Sequence, residues 1–148
     1  MPFLSSLNIS ASGMTAQRLR MDVASQNISN METTRTEDGT PYRRRMVVFQ
    51  ERNQDFRTAL RRAESRVNSD RNPGGVIATE IVEDPSDLEM VYDPEHPDAD
   101  ENGYVAMPNI DLVKETTDAM AATHAYTANI TAFNAIKLMA QKALEIGK

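Results

Sequence analysis

The sequence predicts an α+β fold in which two long terminal helices pair as a coiled-coil-like stalk, with a small β-containing insert between them. Three observations predict it. Residues 109–148 contain no proline, and their only glycine is Gly147. Near the other end, Leu7, Met14, Met21 and Ile28 recur every seven residues, the spacing of a helical seam. Between them lie short runs of β-branched and aromatic residues separated by Gly, Pro and Asp, the pattern of strands and turns. The expected boundaries are 1–30 for the N-terminal helix, 31–108 for the insert and its loops, and 109–148 for the C-terminal helix.

The C-terminal helix has the clearest periodicity. Leu112, Ala119, Ala122, Tyr126, Phe133, Ile136, Ala140 and Ala143 form an apolar or small-residue stripe, and Glu115 and Asn129 complete its three-and-four spacing. At 1.5 Å per residue the helix would be roughly 50 Å long, about twice the width of a compact domain of ~100 residues. Such a helix needs a partner. The N-terminal helix, from Leu4 to about Asn30, supplies one, with Leu4 and Ala11 interleaved in its seam until Arg18 and Ser25 interrupt it. That seam reads either as the core face of an ordinary bundle or as a coiled-coil face. The helix should stop near Asn27-Ile28-Ser29-Asn30, whose polar side chains compete for backbone hydrogen bonds.

The insert begins with a polar loop turning at Asp38-Gly39. Tyr42–Phe49 reads as a strand, as do Val76–Val82 and Leu88–Tyr92, with turns at Asn72-Pro73-Gly74-Gly75 and Asp84-Pro85-Ser86-Asp87. In between, Phe56, Ala59, Leu60, Ala63 and Val67 suggest a short helix, but residues 51–72 equally fit a variable, charge-rich excursion. The loop 93–104 is expected to carry the chain from the last strand into the C-terminal helix.

Composition narrows the function. Nine methionines, no tryptophan and 5% aromatic residues leave little for a large private core. A net charge of -6 argues against nucleic acid as a partner. The charge is uneven: residues 73–108 carry ten Asp or Glu and no Lys or Arg, whereas residues 31–72 carry ten Arg against seven acids. Without cysteine there is no disulfide, thiolate ligand or thiol nucleophile. No signal peptide or membrane span is visible, so by those signals alone the protein would be cytoplasmic.

No motif points to catalysis, a cofactor or a small-molecule substrate. His96 and His124 are the only histidines, and neither sits in a metal-binding or triad pattern. The carboxylates of 80–101 lie in an open loop with no pocket to separate their pKa values. Asp98, Asp100, Asn102 and Gly103 match the opening of a calcium loop, but the twelfth position is Asn109 instead of glutamate and Pro94 and Pro97 bar a preceding helix. No metal site is expected there. Arg43-Arg44-Arg45 could meet a phosphate; in a net negative chain it reads better as a solvated strand entrance facing the acidic middle of this or a neighbouring molecule.

Two stretches carry a family resemblance. Ser12-Gly13-Met14-Thr15-Ala16-Gln17-Arg18-Leu19-Arg20-Met21-Asp22-Val23, with Ser25-Gln26-Asn27-Ile28-Ser29-Asn30, resembles the N-terminal motif of bacterial flagellar rod and hook proteins. Val82-Glu83-Asp84-Pro85, Val91-Tyr92-Asp93-Pro94, His96-Pro97-Asp98-Ala99-Asp100 and Asn102–Asn109, followed by Ala125-Tyr126-Thr127-Ala128-Asn129, are similar to the proximal-rod type in the same order. The chain lacks the Gly-Phe that many rod and hook relatives carry after the threonine equivalent to Thr34, which favours the proximal-rod type.

The resemblance implies a non-enzymatic structural subunit of the flagellar basal-body rod, the drive shaft of motility. It implies no cofactor, and as partners copies of itself, the other proximal and distal rod proteins, and the rod-to-membrane-ring adaptor. It also implies passage through the flagellar type III export apparatus into the cell envelope without a cleaved signal peptide. The expected assembly interface is Leu7, Ala11, Met14, Met21 and Ile28 on the first helix. On the second it is Leu112, Ala119, Ala122, Tyr126, Asn129, Phe133, Ile136, Ala140 and Ala143, with Glu115 and Asn129 setting register against neighbouring subunits. The alternative is a soluble homo-oligomeric coiled-coil module that recruits a basic partner through its acidic loop.

Overall fold

The computed structural model describes residues 2–52, 60 and 74–146. The segment expected as a short helix or an excursion therefore lies, apart from its edges and Leu60, outside the described residues. Among the described residues the elements are, in order, α1 (Pro2–Ser29), β1 (Arg45–Glu51), β2 (Val76–Glu83), β3 (Glu89–Tyr92), β4 (Tyr104–Met107) and α2 (Leu112–Ile146). This is the α+β arrangement of two long terminal helices around a small antiparallel insert.

α2 starts where Asp111 caps it: the Asp111 carboxylate accepts from the Val113 amide at 2.8 Å, satisfying a helix-end donor. α1 ends where Ser29 and Asn30 fold back on the Ser25 and Gln26 carbonyls. The helices pack antiparallel. Asn27 meets Glu115, Arg20 meets Asp118, Met21 meets Thr123 and Gly13 meets Asn129. A Cβ on Gly13 would lie 2.9 Å from the Asn129 Oδ1, so glycine lets the backbones approach here.

The strands form two separate two-stranded sheets, β1 with β2 and β3 with β4, both antiparallel. The β1–β2 ribbon lies along α1, with a bulge between Val48 and Phe49. Its far end is fixed where the Val76 amide donates to Ser12 Oγ at 3.1 Å and the positive-φ glycines 74 and 75 press against Ile9 and Ser12. Among the described residues, Ala16, Val23, Ala24, Tyr42, Val105 and Ala122 are the buried apolar ones. They make a narrow core, consistent with the alanine-rich composition.

Two strand expectations need correction. β1 begins at Arg45, three residues later than expected, and Tyr42 and Arg44 ahead of it are buried in the core. The stretch 93–104 is mostly the loop of a hairpin, since Tyr104–Met107 is a fourth strand paired back onto β3. Tyr92 and Tyr104 face each other across that hairpin, rings edge to face at 5.3 Å.

Candidate functional site

Where α1, α2 and the insert meet, the core is polar. Arg44 is 7% exposed and spreads its guanidinium over three carboxylates. Its Nε donates to Glu115 at 2.6 Å, its Nη1 to Asp84 at 3.4 Å and its Nη2 to Asp118 at 3.3 Å. Arg20 of α1 holds the other oxygen of Asp118 at 2.8 Å. Asn27 fills the centre and spends its whole hydrogen-bonding capacity. Its Nδ2 donates to the Arg45 carbonyl and to Glu115 Oε2, each at 2.9 Å. Its Oδ1 accepts from the Arg45 amide at 2.9 Å and from the Tyr42 hydroxyl at 3.1 Å.

A second polar ring closes the base of the ribbon. Asn109 Oδ1 accepts from the Arg44 amide at 2.9 Å and its Nδ2 donates to Ser86 Oγ at 2.7 Å, while the Asp84 amide donates to the Arg44 carbonyl. The electrostatics follow from these partners. Burial alone would lower the pKa of Arg44, but the hydrogen bonds and charges of Glu115 and Asp84 outweigh it and raise it. Hydrogen bonds from Ser86, then the guanidinium of Arg44, hold the Asp84 carboxyl below its ordinary 3.8. Burial pushes the Tyr42 hydroxyl above 10.0, against the opposing charge of Arg45.

The triple arginine is thus not a uniformly solvated entrance. Arg44 is buried, Arg43 caps the Asp84 and Ser86 carbonyls, and Arg45 lies 5.4 Å over the Tyr42 ring with Glu83 at 3.9 Å. Glu115 is 2% exposed, with Asn27 and Arg44 of the same chain as its partners. Asn129 is likewise turned inward, onto Gly13 and the Ala125 carbonyl.

In the acidic loop, Asp98 accepts from Thr34 at 2.8 Å and pairs with Arg35 at 3.7 Å, whereas Asp100 accepts from the amides of Asn102 and Tyr104. The two carboxylates face different partners. No group of three potential metal ligands occurs among the described residues.

The stripe of α2 is divided. Ala119, Ala122, Tyr126, Asn129, Phe133, Ile136 and Ala140 are buried or half-buried, while Leu112 and Ala143 are exposed. On α1, Leu7, Ala11, Met14, Met21 and Ile28 are all half-buried. The contacts to α2 include Gly13, Arg20 and Asn27, each next to a residue of that seam, and Met21 itself.

Much of α2 is covered on one side only. From Ala119 to Ile136 it has no Asp, Glu, Lys or Arg, yet Met120, Ala121, Thr127, Ala128, Ile130, Thr131, Ala132 and Ala135 are exposed. The hydroxyls of Thr123, Thr127 and Thr131 donate to carbonyls four residues back, which turns polar side chains into methyl-bearing surface. Beyond it, Leu138, Met139 and Leu144 are 60%, 63% and 76% exposed. No helix among the described residues is long and apolar enough to cross a membrane.

A family described as flagella basal body rod protein matches residues 7–35, and one described as flagellar basal body rod FlgEFG protein C-terminal matches residues 101–146. Over its full length the chain is similar to proteins named flagellar basal-body rod protein FlgC. The Bacillus subtilis protein is 49% identical, with 97% of each chain covered. That of Borreliella burgdorferi is 42% identical over 99% of this chain and 98% of the relative. That of Salmonella typhimurium is 36% identical over all of both. The two family matches fall on the two terminal helices and their flanks.

Proposed function

We propose that this chain, which belongs to the FlgC family of flagellar basal-body rod proteins, is built into the rod through the uncovered faces of its terminal helices. As a family member it is a structural subunit of the flagellar basal body. The observation that carries the assembly reading is the uncharged span of α2 from Ala119 to Ile136, exposed everywhere but along α1. A helix left in water on most of its circumference normally carries charge there. Its small residues and back-bonded threonines suit close packing by further helices.

In this reading the neighbours are copies of the same chain and the other proximal and distal rod proteins, with the rod-to-membrane-ring adaptor at one end. The inward stripe of α2, from Ala119 to Ala140, holds α1. The faces beside it, together with Leu112, Ala143 and the flank of α1 bearing Leu7, Ala11, Met14, Met21 and Ile28, meet neighbours. Export through the flagellar type III apparatus, without a cleaved signal, delivers the chain to the cell envelope. No catalytic or cofactor role belongs to it. Recruitment of a basic partner by the acidic loop finds no support among the relatives.

The test is a charge placed on the uncovered face. Ala128→Asp should leave the melting temperature of the isolated chain nearly unchanged, because exposed substitutions usually cost within about 0.5 kcal/mol. It should nevertheless abolish swimming in a strain depending on the variant. Wild-type swimming would refute the assembly face.

A further inference from the structure

The polar cluster between the helices and the insert has a property that apolar packing lacks: neither half is electrostatically complete alone. Glu115 belongs to α2 and touches Asn27 of α1, but the cation that neutralises it, Arg44, comes from the insert. Asp118 divides its oxygens between Arg20 of α1 and Arg44. Pairing the helices without the insert would leave Glu115 against an amide with no cation, so the pair is charge-complete only once Arg44 is in place. Conversely, Arg45 has both its backbone groups held by the side chain of Asn27. That amide acts as a one-residue strand on the outer edge of β1.

We propose that Asn27 and Arg44 are positioning residues of an interlock that makes correct pairing of α1 with α2 conditional on seating of the β1–β2 ribbon. The proposal rests on the assembly reading above and adds a condition to it: only a chain whose insert is docked presents its helices in the register that neighbours recognise. The interlock explains why position 27 is asparagine. An amide both donates to and accepts from Arg45 while donating to Glu115. An aspartate there would lose both donors and set a second carboxylate against Glu115 Oε2, 2.9 Å from the present nitrogen. A leucine would lose every bond.

Hydrogen exchange on the full chain in increasing denaturant tests this. In the wild type, the amides of β1 and those of α2 between Glu115 and Ala122 should open as one unit, with a common dependence on denaturant. Arg44→Met combined with Glu115→Leu removes the ionic half of the interlock without leaving Glu115 as an unpaired charge, and Asp118 keeps Arg20. In that variant α2 should stay protected while β1 exchanges at least about tenfold faster relative to it. Asn27→Asp should expose both together, and Asn27→Gln should not restore the wild-type pattern, since its amide lies one methylene too far out.

Independent opening of β1 and α2 in the wild type would overturn the interlock, and so would joint opening in the double variant. If the double variant does not fold, the wild-type denaturant dependence decides alone. None of these outcomes depends on rod assembly. A failed interlock is therefore distinguishable from a failed assembly face, which the swimming of Ala128→Asp reports separately.

Discussion

The two ends of the helix pair are built from the same two helices but on different principles. At the junction end, Val23, Ala24 and Asn27 of α1 and Glu115 and Ala122 of α2 are almost wholly buried within the chain. At the other end, Leu4 is 57% exposed and Leu138, Met139 and Leu144 still more so. The difference lies in what the chain supplies. The insert covers and neutralises the junction end, while nothing among the described residues covers the other end. One end is finished within the chain; in the assembly proposed above, the other is where neighbours pack.

The sharpest way to break this comparison is to damage the finished end. Arg44→Ala leaves Glu115 buried without its cation, and loss of one partner of a buried pair costs about 3–5 kcal/mol. Thermal or urea unfolding should show that loss, and Arg44→Met with Glu115→Leu should recover most of it. The next largest effect is expected midway along the pair. Gly13→Val pushes β-branched carbon into the Asn129 side chain and should cost roughly 1–3 kcal/mol by overpacking, read by the same unfolding curves. Tyr126→Asp, at a half-buried position, should weaken the pair and also abolish swimming.

Smaller still is the stability effect at the open end. Leu138→Asp or Leu144→Asp should change the melting temperature of the isolated chain little, yet prevent incorporation into basal bodies, scored by co-purification. The smallest effect concerns pH. Asp84 is held below its ordinary pKa, so it adds stability above that value and loses it as pH falls through the folded one. Tyr42 is raised, so its contribution is complete below about 10 and disappears as pH climbs through its folded pKa. Melting temperature should be flat between these limits, with an acid decline that Asp84→Asn reduces.

The sequence made the open end easier to read than the finished one. The stripe of α2 is legible because seven-residue spacing of small and apolar side chains leaves one geometric solution. On α1 the same logic selects Leu7, Met14, Met21 and Ile28, large apolar residues at seven-residue spacing. A contacting line through Gly13, Arg20 and Asn27 lies next to it, where glycine allows close approach and Arg20 and Asn27 reach the Asp118 and Glu115 carboxylates. Arg44 was visible as a charge, but its burial depends on carboxylates 40 and 71 positions away, which no local pattern reveals. Tyr104–Met107 is hard to read as a strand because it lies between an acidic loop and Pro108; the turn signal Asn102-Gly103 ahead of it, with glycine at positive φ, is what the sequence offers.

The central claim is that the chain completes one end of its helix pair and leaves the other for the rod. Site-resolved hydrogen exchange on the isolated, full-length monomer tests it most directly. The account predicts slow exchange from Glu115 to Ala122 and progressively faster exchange toward Ile146, with α1 fraying from its N-terminal end. Uniform protection along both helices in the dilute monomer would contradict it.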